Sequence, residues 1–270
     1  MRKWIFILSI VLLHGVSAVA QEAVPYCDGE KVSLSIMYKW GAVNTEVGLA
    51  TLEVDSLHFK GEEAYHMNCK AKTAPFFDLF YKIREDLQSW VRVQDQRPLQ
   101  FTRNTLEGSY TATNLYDFDW EQKVIHADIN YGNKGPQHLE VPLKEGDCDL
   151  ISLVYKMRNL GEAGYKKGAK TVIHFAIDDD VYDVTVTFRG EETIKVRKMG
   201  KMKALHLSCS VVQGELFAGD ELMHLWLSAD ENRIPVAAFV PLKVGNVQAW
   251  LTGYSGLKHE FSAWTDGRNR

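Results

Sequence analysis

The sequence predicts a mostly β protein: two similar antiparallel β-units, curved sheets or half-barrels from an internal duplication, with a connecting amphipathic helix. Three observations carry this. Most of the chain alternates apolar and polar residues with period two, as half-buried strands do. A set of landmarks recurs in the same order roughly half a chain later, and repeated landmarks are the mark of repeated structural units. One longer stretch follows the 3.6-residue period instead. The implied division is a leader over 1–20, a first β-unit over 21–146, the helix over 147–165 and a second β-unit over 166–270.

The leader comes first. Arg2 and Lys3 precede the apolar run "WIFILSIVLL", and small residues at Ala18 and Ala20 lead to Gln21. A charged start, an apolar stretch too short to span as a helix and a small-residue site form a secretory signal, and a bacterial periplasm is the simplest destination. An uncleaved anchor is the weaker reading. The chain has 31 basic and 35 acidic residues. Losing Arg2 and Lys3 leaves 29 against 35, net −6. With no basic block, a nucleic-acid partner is not expected, and no second apolar run is long enough to span a bilayer.

The strands then follow in order. In "KVSLSIMYKW" the alternation puts Val32, Leu34, Ile36, Tyr38 and Trp40 on one face. "AYHMNCKAK" does the same with Tyr65, Met67, Cys69 and Ala71, against His66, Asn68, Lys70 and Lys72. "APFFDLFY" breaks the pattern with a dense aromatic turn after Pro75, carrying Phe76, Phe77 and Phe80. Next comes "DLQSWVRV", where Leu87, Val91 and Val93 share a face and Trp90 takes the other. Asp149 and Gly161 bracket the helical stripe of "DLISLVYKMRNLG" as N-cap and terminator. Beyond it, "VYDVTVTFRG", "KALHLSCSV" and "LMHLWLSA" resume the alternation, and Trp226 again points away from the apolar stripe. The pairs His66/His206, Cys69/Cys209, Gly29/Gly168, Trp90/Trp226, Pro98/Pro235 and Phe101/Phe239 recur at offsets of 136 to 140 residues. In place of the aromatic turn the second half has "GELFAGDE", too polar for a confident helix, so an aromatic flap is expected in the first half alone.

Catalytic signatures are sparse. There is no GxSxG, HExxH, GxGxxG or P-loop, so no enzymatic activity and no cofactor are expected. "GYSG" reads as a turn, and Asp178–Asp179–Asp180 reads as a solvated hairpin turn without the spacing of a calcium loop. His66, His206 and His224 have nothing that fixes their convergence, so no metal site is expected. The four cysteines permit three pairings, which spacing alone leaves open. Cys27 and Cys148, in turn-like contexts at unit boundaries, are the disulfide candidates. Cys69 and Cys209, inside strands, are expected to be inert buried thiols unless they pair with each other. Trp90 and Trp226 are candidate stacking platforms, because indole joins a broad apolar face to a polar N–H. The competing reading has each ring covered by the helix or the sister unit.

Four stretches, "YKWGAVNTEVGLATLEV", "DLISLVYKMRNL", "WLSADENRIPVAAF" and "VGNVQAWLTGY", resemble in order and spacing a family of secreted bacterial proteins catalogued as domain of unknown function 3108. The resemblance covers nearly the whole mature chain, its motifs are structural, and it carries over no catalytic residue. Two functions are therefore expected. The first is a periplasmic binding or carrier protein for an apolar ligand, a lipid or acyl group, with Phe76, Phe77 and Phe80 lining or gating the cavity. The second is a cell-envelope interaction module that meets glycan or protein through exposed aromatics.

Overall fold

The computed structural model describes residues 24–132, 134–211 and 222–265, and their strands join into a single 15-stranded sheet. The chain runs through β1 (Glu30–Trp40), β2 (Val43–Phe59), β3 (Glu62–Thr73), the one-turn helix α1 (Pro75–Asp78), β4 (Ile83–Arg92), β5 (Pro98–Glu107), β6 (Tyr110–Asp119), β7 (Val124–Tyr131) and β8 (Gly135–Pro142). Then come β9 (Cys148–Asp149), α2 (Leu150–Arg158), the short α3 (Gly161–Gly164), β10 (Lys170–Ile177), β11 (Asp180–Val196), β12 (Gly200–Val211), β13 (Met223–Ser228), β14 (Pro235–Pro241) and β15 (Asn246–Ser255). Two antiparallel meanders, β1 to β8 and β10 to β15, meet where β1 pairs with β15, and β9 adds in parallel to β10. In place of two separate units there is one sheet, because the free edge of β1 is hydrogen-bonded from Lys31↔Ser255 to Lys39↔Asn246. That pairing hides two edges that would otherwise be open to association.

Local chemistry explains most elements. The β2–β3 hairpin turns on Lys60 and Gly61, both at positive φ (53° and 83°), the combination a two-residue turn needs to match strand twist. β1 departs from the simple alternation. Its register against β2 shifts between Ile36 and Met37, where Val47 of β2 is the extra residue; Met37 is buried, and Trp40, expected on the apolar face, stands 59% exposed. Residues 1–20, expected to be a leader, and "GELFAGDE" lie outside the described residues.

α2 begins with a reciprocal capping box. The Asp149 carboxylate accepts the N–H groups of Ile151 and Ser152, each at 2.8 Å, and Ser152 Oγ accepts the Asp149 N–H at 3.1 Å. The helix stops at Arg158, with Asn159 as C-cap, and Gly161 opens α3 instead of ending α2. Ile151 and Tyr155 enter the core cluster of the first meander, while Leu153 and Met157 enter that of the second. A third cluster, around Leu34, Leu251 and Phe261, fills the junction of β1 and β15.

The sheet curves until distant strands touch. Ser89 on β4 donates to Asp149 Oδ2 at 2.6 Å. The β10–β11 turn reaches β5, β6 and β7: Tyr131 Oη donates to Asp178 Oδ1 at 2.8 Å, Arg103 Nη1 lies 3.4 Å from that oxygen, and Tyr116 Oη donates to the Asp178 carbonyl. Asp178 is thus a clamp between sheet ends and not a solvated turn residue. The disulfide expectation also fails, since all four cysteines are free thiols. Cys27 precedes β1 in the middle of the sheet and donates to the Gly256 carbonyl. Cys148 sits on the terminal strand β9 and donates to the His174 carbonyl, so the two sulfurs serve different places. Cys209 is buried against Met157, and Cys69 is half-buried.

Replacing Asp149 with Ala removes two helix-cap bonds and orphans Ser89, so urea denaturation should show a loss of about 1–2 kcal/mol. Asp149→Asn keeps an acceptor at the cap and should lose clearly less; equal losses would mean the cap contributes little.

Candidate functional site

An antiparallel meander places alternate turns at the same end of the sheet. The turns β1–β2, β3–β4, β5–β6 and β7–β8 share one end, and the β14–β15 turn joins them because Lys39 on β1 faces Asn246 on β15. Among the described residues, every exposed large apolar side chain except Leu49 and Val172 lies on this rim. Trp40 and Val43 flank the first turn, Phe76, Leu79, Phe80 and Tyr81 form the second, Tyr110 follows the third, and Leu242 and Val244 occupy the last. The first and last turns are pressed together. Gly245 has φ 74°, and a Cβ there would run into the Lys39 carbonyl, so glycine permits the close approach.

The aromatic flap is held open by polar clamps. Pro75 starts α1 without needing its missing N–H, and the Ala74 N–H donates to the Val47 carbonyl at 2.9 Å. Arg84 grips Asp78 with both nitrogens, Nη1 to Oδ1 at 2.9 Å and Nη2 to Oδ2 at 2.5 Å, while Thr73 Oγ1 also donates to Asp78. Those hydrogen bonds, Arg84's first, hold the Asp78 carboxyl down to about 2. Phe76 and Phe80 consequently point outward, 64% and 74% exposed, and Phe77 is half-buried beneath them, its ring 5.3 Å from that of Phe76. Lys39, Lys72, Lys82, Lys134 and Lys243 are exposed on the same end, although the whole chain carries net charge −4.

Trp90 and Trp226 are not on this rim. Each occupies the face opposite the core-facing Val91 or Leu227, directly across from a histidine: His66↔Trp90 on β3 and β4, His206↔Trp226 on β12 and β13. Trp90 stacks between Phe59 and His66, at 4.9 and 4.8 Å. Trp226 stacks on His206 at 4.6 Å and donates Nε1–H to Glu192 at 2.5 Å. Both rings are covered, but by neighbours in their own sheet and not by α2.

Two large clefts open on the molecule, the second of them reaching the rim at Lys72 and Arg84. One of about 760 Å³ opens between α2, the β4–β5 turn and β10, over Tyr26, Met67, Val91 and Tyr155. A groove of about 710 Å³ crosses β2 to β6 between rows that include Leu49, Lys72, Leu106 and Thr113. Phe76, Phe77, Phe80, Trp90 and Trp226 line neither. Burial pushes the thiols up, Cys69 and Cys209 to about 12, so neither is a ready nucleophile. Alternation places Trp40 on the apolar face of its strand and singles out neither Leu242 nor Val244. Their signal was an apolar residue beside a glycine turn, in "KWGAV" and "LKVG".

This architecture defines a class: proteins built on one strongly curved, barrel-like antiparallel sheet. It is similar to that of a β-barrel-like protein of domain of unknown function DUF1849 from Brucella abortus, with a TM-score of 0.58 at 12% identity over 86% of this chain and 99% of that one. A Bacteroides fragilis protein described as exported and YmcC-like in fold aligns over 86% of this chain and 98% of its own, at 10% identity and a TM-score of 0.35. The chain belongs to the family described as "Protein of unknown function (DUF3108)", which matches residues 35–252. No curated protein matches the sequence at a significant level. Among the described residues no helix is long and apolar enough to cross a membrane.

The His206–His224–Trp226 cluster yields a pH prediction. His206 Nε2 and His224 Nδ1 are 2.9 Å apart, and burial, aided by Arg189 and opposed by Glu192, lowers both imidazoles below their usual 6.5. A histidine lowered in the folded state contributes stability that is present above the unfolded value and lost as pH falls through it. The melting temperature should therefore fall between pH 7 and 5, and His206→Gln/His224→Gln should show a shallower fall. An unchanged slope in the double variant would contradict this.

Proposed function

We propose that this protein is a secreted, non-catalytic component of the bacterial cell envelope that docks on a lipid surface through its apolar turn rim. The observation that carries the reading is the gathering of nearly all exposed large apolar side chains on one end of the sheet. Scattered apolar residues need no explanation, but a contiguous group is characteristic of an interaction site. Aromatic side chains beside exposed lysines suit the boundary between acyl chains and anionic headgroups, where rings insert and ammonium groups remain in water. Five exposed lysines at this end, Lys39, Lys72, Lys82, Lys134 and Lys243, support an anionic surface as the partner. Export to the periplasm is part of the proposal and rests on the leader sequence.

An interior carrier has less support. Phe76 and Phe80 face outward and line neither large cleft, and the inner face of the sheet is filled by three side-chain clusters. We also propose that β1–β6 and β10–β15 descend from one duplicated six-strand unit. In its favour, β2 and β11 are both 17 residues long, β3 and β12 both 12, and the two His–Trp pairs occupy matching registers.

Vesicle co-sedimentation tests the docking. The protein should bind phosphatidylglycerol-containing vesicles more than zwitterionic ones, and added salt should weaken binding. Phe76→Ser/Phe80→Ser should weaken it about tenfold or more, since burying one phenylalanine is worth about 1.5–3 kcal/mol. Its melting temperature should stay within a degree or so of wild type, because both rings are already in water. No binding by the wild type, or equal binding by the variant, would overturn the reading.

A further inference from the structure

The β7–β8 hairpin carries a second cluster, unrelated to the rim's apolar chemistry. Ile125, Ala127 and Ile129 on β7 and Val141 on β8 face the core, which turns His126, Asp128, His138 and Glu140 to the opposite face. The register sets them in a square: His126 is directly opposite Glu140, and Asp128 directly opposite His138. The two imidazoles lie across its diagonal, nearly parallel at 16°, with ring centres 6.2 Å apart. Among the described residues this is the one group of three side chains of metal-ligating type whose donor atoms converge: those of His126, His138 and Glu140 all lie within 4.8 Å of one another.

We propose that this square is a binding site for a divalent transition-metal ion of the zinc class, held by His126, His138 and Glu140. Two imidazole nitrogens and a carboxylate are a ligand set that suits Zn²⁺, with a fourth position left to water or an outside donor. In a tetrahedron of ~2.1 Å bonds the ligand atoms stand about 3.4 Å apart. Contraction from 4.8 Å is within reach of side-chain rotation, because His138 and Glu140 are exposed and His126 is half-buried, so no core packing has to be undone. Asp128 supplies what a metal-bound imidazole needs from behind. Its Oδ1 lies 2.8 Å from His138 Nδ1, so His138 donates Nδ1–H to it and keeps the Nε2 lone pair for the metal. His126 Nδ1 lies 3.7 Å from Glu140 Oε1, close enough for one ion to bridge them. The bland alternative is two cross-strand His–carboxylate pairs on a solvated face. That alternative explains the pairs but predicts no stoichiometric metal uptake.

The histidine pair His206/His224 is the internal control. Those rings are hydrogen-bonded to each other, and with Glu192 they do not form a converging triad. The test is isothermal titration of the full chain with Zn²⁺ alone, after chelator treatment and removal of any purification tag, with Mg²⁺ in parallel. One equivalent of Zn²⁺ should bind at pH 7.5, and Mg²⁺ should give no comparable heat. His126→Ala and His138→Ala should each weaken binding about tenfold or more, Asp128→Asn by a smaller factor, and His206→Ala/His224→Ala not at all. Should an Ala variant melt lower than wild type, His126→Gln and His138→Gln keep the volume and answer the same question. Absence of Zn²⁺ binding, or binding that survives loss of His126 and His138, would overturn the proposal.

Discussion

The guanidinium of Arg158 lies in the interior with its partner Glu30, each about 1% exposed, and the two are joined by a fork of hydrogen bonds at 2.6 and 2.8 Å. Nη2 also donates to the Asn232 carbonyl at 2.9 Å and reaches that of Pro25 at 3.4 Å, while the group lies over the rings of Tyr26 and Tyr155. Burial works against the charge, but the Glu30 carboxylate more than offsets it and holds Arg158 firmly protonated. The partners come from three places: the end of α2, the first residue of β1, and the β13–β14 turn. These hydrogen bonds to the buried guanidinium form together only when all three have assembled. Such a pair adds little net stability compared with apolar replacements, yet it penalises any arrangement that separates its members. It is a constraint on geometry more than a source of stability.

The rest of the molecule is consistent with that constraint. With its end fixed at Arg158 and its start capped by Asp149, α2 presents Ile151 and Tyr155 to one meander and Leu153 and Met157 to the other. Glu30 fixes the start of β1, the strand whose pairing with β15 makes one sheet out of two meanders. Because β1 pairs with β15, the β1–β2 and β14–β15 turns arrive side by side: Gly245 packs against Lys39 and Trp40, and Tyr38 Oη donates to the Val244 carbonyl at 3.0 Å. The rim is therefore a consequence of sheet continuity. Two separated units would present the flap and the other apolar turns on different surfaces.

Much of this was legible in the sequence, and the failures have physical causes. Period-two alternation located β3, β4, β11 and β12, because side-chain parity is a local property of a strand. Parity likewise put Trp90 and Trp226 on the face away from the core. Asp149 as N-cap was visible because capping is settled within four residues. Arg158 was not: in "KMRNLG" it reads as an ordinary basic residue in a helix's last turn, and its burial depends on Glu30, 128 residues away. The bulge that β2 makes against β1, with Val47 left between the partners of Ile36 and Met37, escaped because nothing in the β1 sequence marks it. The free thiols of Cys27 and Cys148 follow from sheet order, which no spacing reveals. The rim was half visible: the flap's aromatics stood out, but only the meander brings Trp40 and Val244 to them. His126 and His138 could have been found by counting outward from the "YGNKGP" turn, since a hairpin pairs positions symmetrically about its centre.

The buried Arg158–Glu30 pair locks the helix to both meanders, and a double-mutant cycle at equilibrium would expose that coupling. Urea unfolding would be compared for wild type, Arg158→Met, Glu30→Met and the double variant. Each single change leaves an unpaired buried charge and should cost about 3–5 kcal/mol, whereas the double variant should recover most of that loss. Single variants that cost under about 1 kcal/mol, or costs that simply add in the double variant, would contradict the account.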